Sequence, residues 1–349
     1  MPSLDKAKTA PNGLNVRIQR LQVAGERLRV WRMSVDLPQE PNDTGASQHP
    51  PHTFVLVHGL GVSSYYFEPL AARLARTGVV YLLDLPGFDG VPHAGQPLGI
   101  GGFADVVAAW VKQEGLTDPV MVGHSMGAQV VVEALARNPE MSSRAVIIGP
   151  PVNASERSPW RQVLRLAQSS VHESFGTRRA ALAGYLRCGP HWLLRVLPEL
   201  LEYKIEERIT QVRARTLVLR GTYDGVAPGA WTHELAQACP DGSHAEIEGA
   251  SHAVVYEHFA ETAALVLAHA DGEAELDGAH LDGSEPAAAP DGLAVGTEEE
   301  AQAVDAELAS PPPSHALPPG ETRMPVRPDG AGGATVARDP IQDPATALL

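Results

Sequence analysis

The pentapeptide Gly123-His124-Ser125-Met126-Gly127 places a serine midway between two glycines. It directly follows an apolar run, Val120–Val122, and directly precedes a helix-forming stretch through Val130, Ala134 and Leu135. A serine in a G-x-S-x-G turn between strand and helix is held in a strained backbone conformation, and glycine on either side avoids clashes. The turn lifts the hydroxyl clear of a sheet and aims the first amides of the next helix at developing negative charge. The chemistry this points to is attack by Ser125 on an acyl carbon. A glycine turn whose serine only caps a helix is the bland alternative; the strand-turn-helix setting favours the nucleophile.

A neutral hydroxyl is a poor nucleophile. It needs an imidazole to take its proton, and the imidazole needs a carboxylate to fix its tautomer. Two later segments supply them: Gly221-Thr222-Tyr223-Asp224 after the run Leu217–Leu219, and Gly249-Ala250-Ser251-His252 after a weaker run near Ala245–Ile247. Asp224 and His252 are therefore the expected acid and base. His58-Gly59-Leu60-Gly61, after Phe54–Val57, is a glycine-flanked loop able to present the Leu60 N–H to the same oxyanion as the Met126 N–H. Supporting positions are then His58, Gly59, Gly123, His124 and Gly127, with His124 beside the nucleophile but out of line to take its proton.

These residues need a scaffold that brings strand ends together. Short apolar runs at 54–57, 79–83, 120–122, 145–148 and 217–219 alternate with helix-period segments such as Phe103, Val106, Val107, Trp110 and Val111. That is the pattern of a mostly parallel sheet buried on both faces by helices, an α/β architecture. Ahead of it, Val16 and Ile18, then Leu28 and Val30, alternate with polar residues around Ala24-Gly25-Glu26, which predicts an antiparallel hairpin. Residues 36–51 read as a surface loop. In open α/β sheets, ligands bind beyond the carboxyl ends of the strands, where the candidate residues fall.

With these motifs together, the chain from roughly Val16 to His269 resembles the α/β-hydrolase superfamily, in its serine-nucleophile, esterase- and lipase-like branch. The resemblance implies that Ser125 matches the nucleophile elbow, His58-Gly59 the oxyanion loop, Asp224 the acid loop and His252 the histidine loop. Asp84-Leu85-Pro86-Gly87-Phe88 looks like the family's turn after the fourth strand, with no chemistry implied for Asp84. An acid after the sixth strand, used by some members, has no counterpart in Gly149-Pro150-Pro151-Val152-Asn153. Serine at the elbow also departs from the dehalogenase branch, which carries aspartate there. A helical insertion at about 151–213 is expected to form a cap over the site, with Trp160, Leu164, Ala167 and Val171 on one helix face. Arg178-Arg179 in that cap reads as a solvated helix face or a contact for an acidic substrate.

Composition bounds the rest. Of the net charge of −15, residues 271–349 carry 16 acids against 3 bases, and no aromatic residue follows Phe259. Such a segment buries too little apolar surface to offset its ordering entropy. The domain reading is a flexible N-terminus at 1–12, a catalytic domain at 13–270 and a disordered acidic Ala/Pro/Gly-rich tail at 271–349. Two cysteines and no apolar leader or spanning run predict a cytoplasmic protein without disulfides or membrane span. No basic face suggests nucleic acid, and no histidine or cysteine spacing suggests a metal, so no cofactor is expected. Gly99–Ala104 fits a relaxed dinucleotide fingerprint but follows a loop. His172, His191, His244 and His258 read as surface or packing residues.

The expected reaction is hydrolysis of a small-molecule carboxylic ester, or a related acyl compound, through an acyl-enzyme on Ser125. Cleavage of a carbon–carbon bond, a lactone or a thioester by the same residues stays open. So does a slow-turnover binding protein on the same architecture. A cavity lined with polar anchors would favour a diketone, and an apolar one an acyl ester.

Overall fold

The computed structural model describes residues 6–9, 13–35, 51–93, 98–273 and 276–283, all within one compact unit spanning 1–295. The expected tail from 284 onward lies outside the described residues, as does most of the loop expected at 36–51. The strands are β1 (Lys6–Thr9), β2 (Leu14–Val23), β3 (Glu26–Val35), β4 (His52–Val57), β5 (Gly78–Asp84), β6 (Val120–His124), β7 (Arg144–Ile148), β8 (Arg215–Gly221), β9 (Gly242–Glu248) and β10 (Ala279–Asp282). The helices are α1 (Glu68–Leu74), α2 (Ile100–Gln113), α3 (Met126–Arg137), α4 (Pro159–Ser170), α5 (Phe175–Cys188), α6 (Pro190–Glu202), α7 (Ile205–Arg208), α8 (Gly229–Ala238), α9 (Val254–Glu257) and α10 (Phe259–Asp271).

All the strands join one sheet in the order β1-β2-β3-β5-β4-β6-β7-β8-β9-β10. The first three run antiparallel and the rest parallel from β5 onward. The expected hairpin is β2–β3, closed at Ala24 (φ 51) and Gly25 (φ 87). Two consecutive positive φ values give the turn whose twist matches that of the flanking strands.

Alternate residues of each central strand feed opposite faces, as the side-chain period of two requires. Val55 and Val57 join the core under α2, α3 and α8, whereas Phe54 and Leu56 join the core under α1 and α10. Trp110 and Trp231 are fully buried in the first core, and Phe54 and Phe67 in the second. Sheet burial on both faces leaves only the strand ends open for chemistry.

Two domain boundaries need correction. The stretch read as a flexible N-terminus contains β1, which pairs with β2 from Lys6↔Ile18 to Thr9↔Asn15. The tail read as disordered from 271 first finishes α10 and then adds β10 beside β9, with Ala279 opposite Ala245 and Asp282 opposite Glu248. Both are edge strands, held through main-chain hydrogen bonds that polar sequences satisfy as well as apolar ones.

The segment between β7 and β8 is helical, as expected for a cap. Trp192, Val196 and Leu200 of α6 bury into the core on the α2–α3 side, which seats the cap on the domain. In α4, by contrast, Trp160, Val163 and Leu164 are exposed, as is Val171 just after it.

Candidate active site

Ser125 links β6 to α3 at φ 55, ψ −123, a region that non-glycine residues enter only when the surroundings enforce it. Its N–H donates to the Ile148 carbonyl (2.9 Å) and its own carbonyl accepts from Ala128 (2.9 Å), so the strained residue is tied at both ends. The flanking glycines answer to backbone proximity. A Cβ on Gly123 would stand 2.3 Å from the Gly127 carbonyl oxygen, and one on Gly127 would stand 2.0 Å from that of Val57.

His252 follows β9, and Asp224 follows β8. The His252 Nδ1–H donates to Asp224 Oδ2 at 2.8 Å, while Asp224 Oδ1 accepts the amides of Val226 (2.9 Å) and Ala227 (3.1 Å). Burial alone would raise the Asp224 pKa, but the His252 imidazole and these donors hold it below the usual carboxylate range. For His252 burial works downward, and Asp224 overrides it to leave the pKa above the ordinary histidine value. The His252 main chain is fixed as well: its N–H donates to Ser169 Oγ (2.8 Å) and its carbonyl accepts from His124 Nε2 (2.9 Å).

His124 is therefore a brace for the histidine loop. Burial, followed by the neighbouring His252, depresses its pKa to about 3, so it stays neutral. His58 braces the other side: its Nδ1–H donates to the Gly59 carbonyl (2.8 Å), and its Nε2 accepts the Leu85 N–H (3.1 Å). Burial keeps it neutral, matching that tautomer. The loop it holds lies against Ser125, since a Cβ on Gly59 would stand 2.9 Å from Ser125 Cβ. Met126 opens α3, where the first-turn amides lack intrahelical partners.

Asp84 proves to be a structural anchor. It is fully buried and accepts from Arg29 Nε (2.6 Å), Trp31 Nε1 (2.7 Å) and the Ser64 N–H (2.6 Å). It ties β3 and β5 to the segment after Leu60.

Ser125, His124, His252, Gly59 and Leu60 share the wall of one cavity of about 430 Å³ beneath the cap. Its lining is mainly apolar, including Tyr66, Leu166, Tyr185, Leu193, Leu197 and Val226. Polar exceptions from the cap are Gln162, Ser170, Glu173 and Arg178. Glu173 is buried, which pushes its carboxyl pKa up; Arg178 is exposed at the rim, while Arg179 is not part of the lining. Among the described residues, no group of three or more His, Cys, Asp or Glu side chains could hold a metal ion, and no helix is long and apolar enough to cross a membrane.

Two site residues escape sequence reasoning. Ser169 sits on a helix whose apolar periodicity drew attention to its neighbours. Gly149 (φ 53) follows β7, and a Cβ there would crowd Asp224 Oδ2 (3.0 Å) and His252 Nδ1 (3.1 Å). The only signal for Gly149 was its place after an apolar run. Of the other histidines, His172 stacks on Tyr223 (4.2 Å between centroids), His244 Nε2 meets Thr232 Oγ1 (2.9 Å), His258 is buried and His191 is exposed. Gly99–Ala104 merely starts α2.

Residues 54–265 match the Alpha/beta hydrolase family. The chain is 26% identical to an N-formylmaleamate deformylase of Pseudomonas putida, over 59% of this chain and 84% of that protein. It is 27% identical to a pimeloyl-[acyl-carrier protein] methyl ester esterase of Aromatoleum aromaticum, over 61% and 95% respectively. A meta-cleavage product hydrolase of Pseudomonas fluorescens superposes with a TM-score of 0.57 at 16% identity, covering 72% of this chain and 97% of that one, a likeness of fold. With the family match covering the strands from β4 to β9, the turn at Ser125 and the loop of His252, the chain belongs to the alpha/beta hydrolase family and is a hydrolase.

Proposed function

We propose that the chain hydrolyses a carboxylic ester with an apolar acyl group, using Ser125, His252 and Asp224 as a catalytic triad. The observation that carries this is the strained Ser125 sharing a cavity wall with His252, whose Nδ1 is locked to buried Asp224. His252 Nε2 takes the Ser125 proton as Oγ attacks the acyl carbon. The imidazolium formed is stabilised by Asp224, and the tetrahedral oxyanion by the N–H groups of Leu60 and Met126. His252 then protonates the departing alcohol, and the same imidazole activates water to release the acid.

The mainly apolar cavity supports an acyl chain as its occupant. Two relatives bear names of acyl chemistry, a deformylase and a methyl ester esterase. A second reading, in which the substrate carries a carboxylate, has one observation behind it: the Arg178 cation at the rim. Lactone or thioester cleavage would use the same residues.

The test is turnover of short and medium p-nitrophenyl esters, thioesters and lactones by the chain and by Ser125→Ala, with fluorophosphonate labelling in parallel. Ser125→Ala should lose roughly 10⁴- to 10⁶-fold in kcat and all labelling. Undiminished turnover, or no adduct on folded protein, overturns the assignment.

A further inference from the structure

The outer face of the cap departs from the rest of the surface. Large apolar side chains exposed over at least half their area gather there, with Trp160 at 82% and Phe175 at 78%, joined by Val163, Leu164, Leu182 and Leu194. In α4, Trp160, Val163, Leu164 and Ala167 fall at i, i+3, i+4 and i+7, so a complete apolar stripe is turned to solvent. In α5, Phe175 and Leu182 flank Arg178 and Arg179 at helical spacing. Soluble surfaces rarely leave such a patch without a partner.

Two further features say what covers it. From Glu156 to Glu202 the sequence holds seven arginines and four carboxylates; Arg157, Arg165 and Arg187 pair with Glu206, Glu156 and Asp89, and Glu173 is buried. The face is thus apolar and cationic at once, with Arg161, Arg178 and Arg179 exposed beside the apolar groups. Further, Val163, Leu182 and Leu194 belong both to the patch and to the lining of the Ser125 cavity. Cavity wall and patch are continuous at these three residues. An amphiphile leaving a lipid layer there would pass from acyl chains to cavity wall without exposing its tail to water.

We propose that this face docks reversibly on an anionic lipid surface, with Trp160 and Phe175 entering the headgroup region and the arginines meeting lipid phosphates. An amphipathic helix with an arginine-bearing polar side and Trp and Leu on the other is suited to lie in such an interface. The proposal uses the hydrolase reading only for what the cavity does. Docking itself requires no turnover.

The test is sedimentation of the full chain with large unilamellar vesicles of phosphatidylcholine, with and without roughly one-third phosphatidylglycerol. The chain is expected to partition onto the anionic vesicles, less onto phosphatidylcholine alone, and less in high salt, which screens the arginines. Trp160→Ala with Phe175→Ala should lower partitioning by about tenfold or more, and Arg161→Glu with Arg179→Glu should abolish the preference for anionic lipid. All four positions are exposed, and circular dichroism would verify the fold of each variant. Ser125→Ala should bind as the parent does, which separates failure of docking from failure of the hydrolase assignment. Parent protein left in the supernatant with anionic vesicles overturns the proposal. So does a dimer in solution that dissolves on Trp160→Ala with Phe175→Ala while no vesicle is bound, because the face would then be covered by a second copy.

Discussion

Ser169, in the cap helix α4, accepts the main-chain N–H of His252 through its hydroxyl at 2.8 Å. His252, the base we propose, is thereby held by the cap as well as by the sheet. His252 has three fixed points: Ser169 on its N–H, His124 on its carbonyl and Asp224 on its ring.

Removing that bond tests the coupling. Ser169→Ala leaves a buried N–H unpaired, at a cost of about 1–3 kcal/mol. We expect kcat to fall roughly tenfold with KM little changed, since a displaced base affects the transition state more than substrate binding. Ser169→Thr keeps the hydroxyl and should restore most of the loss. Steady-state kinetics on one ester separates the outcomes: equal loss in both variants would mean that the cap tolerates no change there, and that the hydroxyl is not the cause.

The pH profile follows from Asp224. General-base catalysis needs neutral His252, so kcat/KM should rise with pH through the His252 pKa, which Asp224 holds above the usual value of about 6.5. Asp224→Asn removes the opposing charge while burial stays, so the midpoint of the acid limb should move to lower pH. The rate should drop by roughly 10⁴-fold as the tautomer is lost. A pH–rate profile of the variant with an unmoved midpoint would show that another group sets the limb.

Much of this candidate site could be read from the sequence because each residue proposed to react follows a run of apolar residues. Ser125, Asp224 and His252 follow β6, β8 and β9, and strands buried on both faces announce themselves through continuous apolar runs. Residues that act through the main chain left no such mark. Ser169 and Gly149 meet His252 and Asp224 with a hydroxyl and with a missing Cβ, and neither type is rare enough to stand out. The edge strands β1 and β10 were hidden for a related reason, since their pairing is independent of apolar side chains. The outward stripe of α4 was visible as a period; a period does not say which way a stripe faces.

Gly149 gives a prediction that distinguishes catalysis from folding. Gly149→Ala places a methyl about 3 Å from both Asp224 Oδ2 and the His252 ring, at a φ of 53. The left-handed backbone costs about 1–2 kcal/mol, a modest loss for a domain of this size. Displacing the pair should cost roughly 10²-fold in kcat. Gly127→Ala should behave oppositely, because its methyl would meet the Val57 carbonyl oxygen at 2.0 Å and the elbow cannot close around it. Thermal melts beside kinetics would show a small Tm shift with a large rate loss for the first variant, and poor folding for the second.

Arg29 and Asp84 form a buried anchor behind the loop at 58–61. Arg29 is buried against Asp84, and burial lowers its pKa less than Asp84 and Asp89 raise it, so it stays charged throughout the working range. Arg29→Ala would leave the Asp84 carboxylate in a dry site with only Trp31 Nε1 and the Ser64 N–H as partners. Breaking a buried pair by removing one member costs about 3–5 kcal/mol, since the surviving charge is uncompensated. Asp84 would recover part of this by taking up a proton, so the variant should gain stability relative to the parent as pH falls through the raised Asp84 pKa. Urea midpoints measured across the acid range would reveal it as a narrowing gap between the two proteins. A gap that stays constant would mean that Arg29 acts through packing of its alkyl stem and not through its charge.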